Sequence, residues 1–412
     1  MHRVLNGVIP TVSVVCVLKR KYLLLILLIL SVFSWAVLCL RPQILPVAGG
    51  YTRHKEFPPL VYLPEYEQGP KVLADAAILV EATSGKVLYA KNEHKRRAPA
   101  STTKIMTALV VLERAKLNEI VRVSRRAASV GGSSLHLRAG DRLRLSELLQ
   151  GVLLCSGNDG STALAEHVAG SEQKFAELMN LKAKELGALH TRFQNAHGLR
   201  APSHYTTAFD LALMARYALM NPVFFRIVAT KEELMEYEEA TRAQKIRNTN
   251  RLLWSFAGAD GVKTGTTNEA GYCLVASATR DGRRYVAVAL ASPDRWGDCA
   301  RMLEYAFSHF ALVRLARADR PVGTINVLGG CPAKVRVYPR RDLTVVLKKG
   351  EEGKYRRFVV LQEQPLRPPL KRGSIVGRIG YSYEGSEVEG VDLIVREPVR
   401  RRPFWGCGEK RR

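Results

Sequence analysis

Metal-binding patterns and acidic residues are scarce in this 412-residue chain, and each shortage excludes something. The nine histidines fall at no metal-ligand spacing, and the seven cysteines are scattered, odd in number and without a CxxC pair. Neither a zinc site nor a disulfide framework therefore organises the fold, and no metal is implied. Cys16 and Cys39 fall in or before an apolar run, and the other five read as small core residues. Acids number 38 against 63 lysines and arginines, a net charge of +25. Such an imbalance asks for an anionic neighbour: nucleic acid, anionic lipid or an anionic wall polymer. No zinc-finger, RRM-like or basic-zipper pattern is present, so the charge does not make a nucleic-acid binder. No internal repeat is evident. A hydrophobic fraction of 47% with 25% charged residues excludes wholesale disorder.

One long apolar run stands out. Lys19-Arg20-Lys21 precedes "YLLLILLILSVFSWAVLCL", which ends before Arg41 and approaches the ~20 residues that cross a bilayer. Basic residues on its amino-terminal side predict a cytoplasmic start and an exported body. A signal peptide and an uncleaved anchor both fit. The cleavage candidate "PVAGG" has Pro46 where a small residue is wanted, which favours the anchor. Leu38 before Cys39 argues against a lipoprotein site.

The proline- and charge-rich "TRHKEFPPLVYLPEYEQGP" reads as a linker. "AAILVEATSGKVLYA" predicts a hairpin turning at Ser84-Gly85, and "YCLVASATRDGRRYVAVALAS" a second one at Asp281-Gly282. From Thr102 to about Pro222 the pattern is mostly helical, and "CARMLEYAFSHFAL" predicts a last helix. The expected fold is an α/β domain whose antiparallel sheet comes from both ends of the segment, with the helices inserted. From about Thr324 short strand-like pieces ("TINVLGG", "KVRVYP", "LTVVLKKG", "RFVVLQE", "VDLIVRE") predict a small all-β, sandwich-like domain. The boundaries expected are 1–48 for the signal or anchor, 49–70 for the linker, 71–314 for the α/β domain, 315–398 for the β-rich domain and 399–412 for a basic tail. That tail reads as solvated disorder, with a membrane-surface contact as the alternative.

Three short motifs carry the chemistry. In "RRAPASTTKIMTAL", Ser101 and Lys104 lie three apart at the start of a buried helix, hence on one face. A lone SxxK is ordinarily an N-cap serine and an exposed lysine. "LLCSGNDG" supplies Ser156 and Asn158, alone a loop or cap pair, and "DGVKTGTTNEAGY" supplies Lys263-Thr264-Gly265, alone a turn lysine. The order SxxK, SxN, KTG, about 55 and then about 107 residues apart, is far more specific than any one of them.

With these motifs and their flanks, among them "GSSLHLRAGDRLRLSELLQGVLLCSGND", "NAHGL" and "LRPPLKRGSIVGRI", the chain resembles the low-molecular-mass penicillin-binding proteins, the serine-type D-alanyl-D-alanine carboxypeptidases. The resemblance covers roughly residues 71–398. It implies a β-lactamase/transpeptidase-like fold, no cofactor, peptidoglycan stem peptides ending in D-Ala-D-Ala as substrate and β-lactams as covalent inhibitors. The amino-terminal apolar run, which lies outside the resemblance, predicts an enzyme at the bacterial cell membrane with its catalytic domain outside the cytoplasm, or a secreted one if that segment is cleaved. Ser101 would be the nucleophile and Lys104 its base, with a pKa lowered by burial and by Lys263. Ser156 would pass the proton to the leaving amine, and Asn158 would hold Lys104. Lys263 and Thr264 would bind the terminal carboxylate, and Gly265 would let the substrate strand approach the sheet edge. The backbone N–H groups of Ser101 and Thr266 would form the oxyanion hole. Arg295 would assist with the carboxylate, and His197 reads as structural. A class A β-lactamase shares the motifs, but its E-x-x-x-N pattern is missing between Ser156 and Lys263. A DD-endopeptidase, a transpeptidase and a non-catalytic wall-binding descendant remain as alternatives.

Overall fold

The computed structural model describes residues 57, 59–62, 69–238, 242–350, 352–362, 365–383 and 385–403. The apolar run, the 1–48 segment, most of the 49–70 linker and the end of the tail lie outside these residues. Among the described residues no single helix is long and apolar enough to cross a membrane.

The first end of the sheet comprises β1 (Val61–Tyr62), β2 (Ala76–Glu81) and β3 (Lys86–Lys91). Part of the predicted linker is therefore a strand: Val61 and Tyr62 add in parallel to Lys86 and Val87. β2 is buried at every residue, which is why it reads as an apolar run rather than an alternation. The turn to β3 is the predicted one, with Gly85 at φ +78°.

The insertion opens with a 3₁₀ turn over Ala100–Thr103 that feeds α1 (Lys104–Arg114). α1 is buried continuously from Lys104 to Val111, as expected of a helix surrounded by others. β4 (Ile120–Arg122), α2 (Arg125–Ala128) and β5 (Arg142–Arg144) follow, with β4 and β5 forming a ribbon. Then come α3 (Leu145–Leu154), α4 (Asn158–Ala169), α5 (Glu172–Glu185), α6 (Ala208–Leu219) and α7 (Pro222–Ala229). Local chemistry starts three of these: the side chains of Ser171, Thr207 and Asn221 accept backbone N–H bonds at the starts of α5, α6 and α7. A polar hairpin, β6 (Glu232–Glu236) with β7 (Ala243–Arg247), and the short α8 (Leu252–Ser255) complete the insertion.

The second end supplies β8 (Ala259–Thr267), β9 (Gly271–Arg280) and β10 (Arg283–Leu290). The sheet order is β1-β3-β2-β10-β9-β8, so the two ends join where β2 meets β10, Val80 opposite Val286. One apolar cluster packs the helical insertion on one face, and α9 (Arg295–His309) packs the other through Cys299, Met302, Leu303 and Ala306.

The remainder is β-structure. β11 (Phe310–Ala316) begins where the predicted helix should have continued to Leu312. β12 (Gly323–Asn326), β13 (Gly330–Cys331), β14 (Lys334–Pro339), β15 (Leu343–Lys348), β16 (Tyr355–Leu361), β17 (Ile375–Tyr383), β18 (Ser386–Val395) and β19 (Arg400–Arg401) follow. Five of them form a sheet in the order β12-β14-β18-β17-β16, while β11 pairs with β15 and β13 with β19. The start of the predicted disordered tail is thus a strand. Cys273 and Cys299 are buried and Cys155 is half-buried, all three free. Cys331 departs from the core reading because it is disulfide-bonded. Buried Lys86 of the first sheet meets Glu389 of the β-rich part at 3.4 Å.

Candidate active site

The three motifs converge at the β8 edge of the first sheet. Lys104 is fully buried, and its Nζ lies 3.0 Å from Ser101 Oγ, 2.7 Å from Asn158 Oδ1 and 2.8 Å from the carbonyl oxygen of His197. Ser101 caps nothing with its side chain, so the ordinary reading of SxxK fails here. The 3₁₀ turn presents its hydroxyl to the lysine instead. Ala100, at φ +48°, bends the chain into that turn.

Burial pushes the Lys104 ammonium well below its usual range, and the nearby charge of Lys263 pushes it further down; Asp159 opposes both. Lys263 is 1% exposed, and burial with the Arg295 charge brings it down to about 7 against the opposing influence of Cys155. Two buried lysines in one site disfavour carrying two charges, so burial and repulsion act in the same direction on the lysine bonded to the serine.

Asn158 is fixed at both ends. Its Nδ2 donates to the carbonyl of Gly131 at 2.7 Å, and its backbone N–H donates to the carbonyl of Ser133 at 2.7 Å. Next to it, the Asp159 carboxylate accepts from Leu135 N, Leu137 N and Ser134 Oγ, pinning the segment that Asn158 leans on. Ser156 has a positive φ of 67°, and its hydroxyl is buried with no hydrogen-bond partner among the described residues. The expected link from Ser156 to Lys104 is therefore not formed here, since Lys104 spends its bonds on Ser101, Asn158 and His197.

On β8, Thr264 Oγ1 lies 2.7 Å from Thr249 Oγ1. At Gly265 a Cβ would stand 2.9 Å from the carbonyl of Pro99 and 3.1 Å from Ser101 N. Its bareness lets the strand press against the turn that carries the nucleophile. Arg295 Nη1 donates to Thr266 Oγ1 at 2.7 Å and to the carbonyl of Gly265 at 2.9 Å, with its guanidinium over the Trp296 and Tyr272 rings. It braces the end of β8.

Several further residues hold this arrangement together. Glu172 accepts from Arg126 Nη2 at 2.9 Å and from Ala196 N at 3.2 Å, and its carboxylate lies 3.2 Å from His197 Nε2. Leu199 N donates to His197 Nδ1, which assigns the ring proton to Nε2, facing Glu172. Glu172 thereby holds the loop whose carbonyl touches Lys104. Gly198 closes that loop at φ +90°, where a Cβ would lie 1.8 Å from the carbonyl of Ala100. His204 Nε2 sits 2.9 Å from Thr103 Oγ1, and burial lowers its pKa to about 4. No sequence signal marked Glu172, Thr249 or His204; only "NAHGL" pointed to the loop. Among the described residues, no group of three or more His, Cys, Asp and Glu is placed to hold a metal ion.

Residues 64–294 match the family described as D-alanyl-D-alanine carboxypeptidase, and residues 310–401 match the C-terminal domain of penicillin-binding protein 5. The D-alanyl-D-alanine carboxypeptidase DacF of Bacillus subtilis is 35% identical over 339 residues, covering 80% of this chain and 87% of that protein. DacC of Escherichia coli is 37% identical over 356 residues, with 82% and 87% covered. Among solved structures, penicillin binding protein 5 from Haemophilus influenzae superposes with a TM-score of 0.72 at 28% identity, over 81% of this chain and 99% of that one. The Streptomyces K15 DD-transpeptidase gives 0.56 at 34% identity, over 58% and 99%.

Proposed function

The chain belongs to the D-alanyl-D-alanine carboxypeptidase family, and from that premise we propose that Ser101 and Lys104 are the nucleophile and base of its reaction. The protein is a serine-type D-Ala-D-Ala carboxypeptidase, a hydrolase that removes the terminal D-alanine from peptidoglycan stem peptides and is acylated by penicillins. The observation that carries the residue assignment is the 3.0 Å contact between Ser101 Oγ and a buried lysine held below its usual pKa.

Ser101 Oγ forms a bond to the carbonyl carbon of the penultimate D-alanine while its proton passes to Lys104. The backbone N–H groups of Ser101 and Thr266 face the developing oxyanion, and one such donor is worth about 10²–10³ in rate. The peptide bond then breaks, and the amine of the terminal D-alanine takes a proton and leaves. The Ser156 hydroxyl, which spends no bond elsewhere, is suited to deliver it while taking up the proton that Lys104 received, which returns Lys104 to its neutral form. Water adds to the acyl carbon as Lys104 takes its proton, the bond from Ser101 Oγ to that carbon breaks, Lys104 returns the proton to Oγ, and the shortened peptide departs. Charged Lys263, with the Thr264 hydroxyl, attracts the free carboxylate that marks the correct peptide end. Thr249 sharpens this: if it donates to Thr264, the Thr264 proton is left for the carboxylate. Arg295 acts mainly by holding Thr266 in place.

The apolar run before Arg41 and the excess of basic charge support an exported enzyme held at the bacterial membrane, within domain limits of 1–48, 49–70, 71–314, 315–398 and 399–412. A transpeptidase reading keeps one specific support: Streptomyces K15 matches carry both names, carboxypeptidase and DD-transpeptidase. Release of free D-alanine from a peptide ending in D-Ala-D-Ala, with and without prior penicillin, tests the main reading. Penicillin-blocked release supports it. Penicillin labelling without release, or transfer to an added amine in place of hydrolysis, moves the assignment to the acceptor-using reaction.

A further inference from the structure

The β4–β5 ribbon carries a feature that the reaction does not use. Strand alternation sends Val121 and Leu143 into the core and leaves Ile120, Arg122, Arg142 and Arg144 on the opposite face. In this register Arg122 stands directly opposite Arg142, and Ile120 opposite Arg144. Like charges at directly opposed positions destabilise a ribbon. Among the described residues Arg122, Arg142, Arg125 and Arg138 have no ion-pair partner. Of the acids nearby, Asp141 is engaged by Arg242, Glu119 by His167 and Glu172 by Arg126, while Glu147 and Glu236 line a separate hollow beyond Arg144, away from the Arg122–Arg142 pair. Arg144 reaches Glu238 only at 3.8 Å.

Beside the arginine pair the surface is open. Ile120, Arg122, Gly140 and Arg142 line a shallow concavity, and nothing lies within 4 Å of where a Cβ on Gly140 would stand. Guanidinium groups in such an array match phosphate oxygens in pairs. A bilayer face would add exposed apolar anchors, yet among the described residues no large exposed hydrophobic lies between Leu73 and Leu181. An unneutralised row of arginines without apolar anchors fits a linear polymer better than a membrane.

We propose that the outward face of the β4–β5 ribbon is a docking surface for a linear phosphodiester polyanion of the extracytoplasmic space. The chain runs from Arg122 through α2 to Gly131, whose carbonyl holds Asn158. Nine residues span at most about 30 Å, so the polymer lies along one flank of the catalytic site. Docking there raises the local concentration of substrate attached to the same wall, without a new contact in the site.

The test uses the full chain in detergent and measures binding of labelled poly(glycerol phosphate) as salt is varied. Arg122→Gln with Arg142→Gln should weaken binding by about ten-fold or more and flatten its salt dependence, as loss of phosphate contacts does. A control of equal charge, Arg336→Gln with Arg340→Gln in the β-rich part, should leave affinity within about two-fold, a change of less than ~0.4 kcal/mol. The ribbon variant should keep wild-type penicillin labelling and melt at the same temperature or higher, because a like-charge pair has been relieved. Equal loss in both variants would reduce the effect to bulk charge and overturn the proposal. So would unchanged binding in the ribbon variant, a lowered melting temperature, or tighter wild-type binding to phosphatidylglycerol vesicles or single-stranded DNA at equal phosphate.

Discussion

The α/β region and the β-rich region bury very different material. Among the described residues every buried polar or charged side chain lies between Glu81 and Asp298, and none lies from Phe310 onward. The β-rich part closes on Val335, Val337, Leu343, Ile379, Leu393 and similar residues, leaving its charges outside. The α/β part instead buries Lys104, Lys263, Asn158, Asp159, Glu172 and His204, nearly all with a hydrogen-bond partner for each polar group. Burying polar groups costs stability unless they are paired, so their concentration in one region marks where that cost is offset by chemistry. The other region buries an almost wholly apolar core.

Substitutions can break that contrast, and the largest effect belongs to the motif pair. Ser101→Ala should abolish penicillin labelling and lower D-alanine release by about 10⁴-fold or more, and Lys104→Ala should do nearly the same because the two act as one unit. Labelling that persists in Ser101→Ala would remove it from the nucleophile role. Glu172→Ala should lower kcat by about 10–100-fold with a smaller change in KM, since it shifts the His197 carbonyl that positions Lys104. Glu172→Gln should recover part of the loss, and equal damage from both would make the role one of stability alone.

The pH profile sharpens the contrast further. On the proposed assignment Lys104 works neutral, so kcat/KM should rise as pH climbs through its depressed pKa. Lys263 works charged, so kcat/KM should fall above about 7, giving a bell. Lys263→Arg should carry the alkaline limb upward, and an unmoved limb would assign it elsewhere. For stability the sign is opposite. The unfolded state binds the Lys263 proton up to 10.5 and the folded state only to about 7, so this lysine's contribution to stability grows between those values as pH rises. Replacing it with methionine should flatten the pH dependence of urea melts in that window. The smallest effect on activity is expected from the β-rich core: Leu393→Ala should cost about 2–5 kcal/mol of local stability while kcat/KM stays within two-fold. A larger loss of activity would make the β-rich part more than a support.

The sheet core and the reactive motifs were legible for different reasons. β2, β9 and β10 announce themselves as apolar runs around turn residues, and Ser101, Lys104, Ser156, Asn158 and Lys263 through the order and spacing of three motifs. β17 is masked in the sequence because Gly377 and Gly380 resemble punctuation. In the sheet a Cβ on Gly377 would meet the carbonyl of Val360 at 2.4 Å, so the glycine serves close strand approach. β6 and β7 are too polar to show a buried face. The end of α9 is hidden in the sequence because "FAL" continues an apolar pattern, while its partner on β15 is far along the chain. Glu172 and Thr249 act through tertiary contacts that no local pattern encodes.

The joining of β2 to β10 carries a consequence for how the protein comes alive. Val80 meets Val286 across roughly 200 intervening residues, a loop whose closure entropy must be met before the pairing returns anything. The turn bearing Ser101 emerges early in synthesis, and the strand bearing Lys263 emerges more than 150 residues later. Until the late strands arrive, the serine has neither its electrostatic partner nor the β8 edge against which Gly265 presses. A chain whose late strands have not yet joined is therefore chemically silent, and on the proposed assignment its activity and its sensitivity to penicillin begin together, when the last strand of the first sheet is in place.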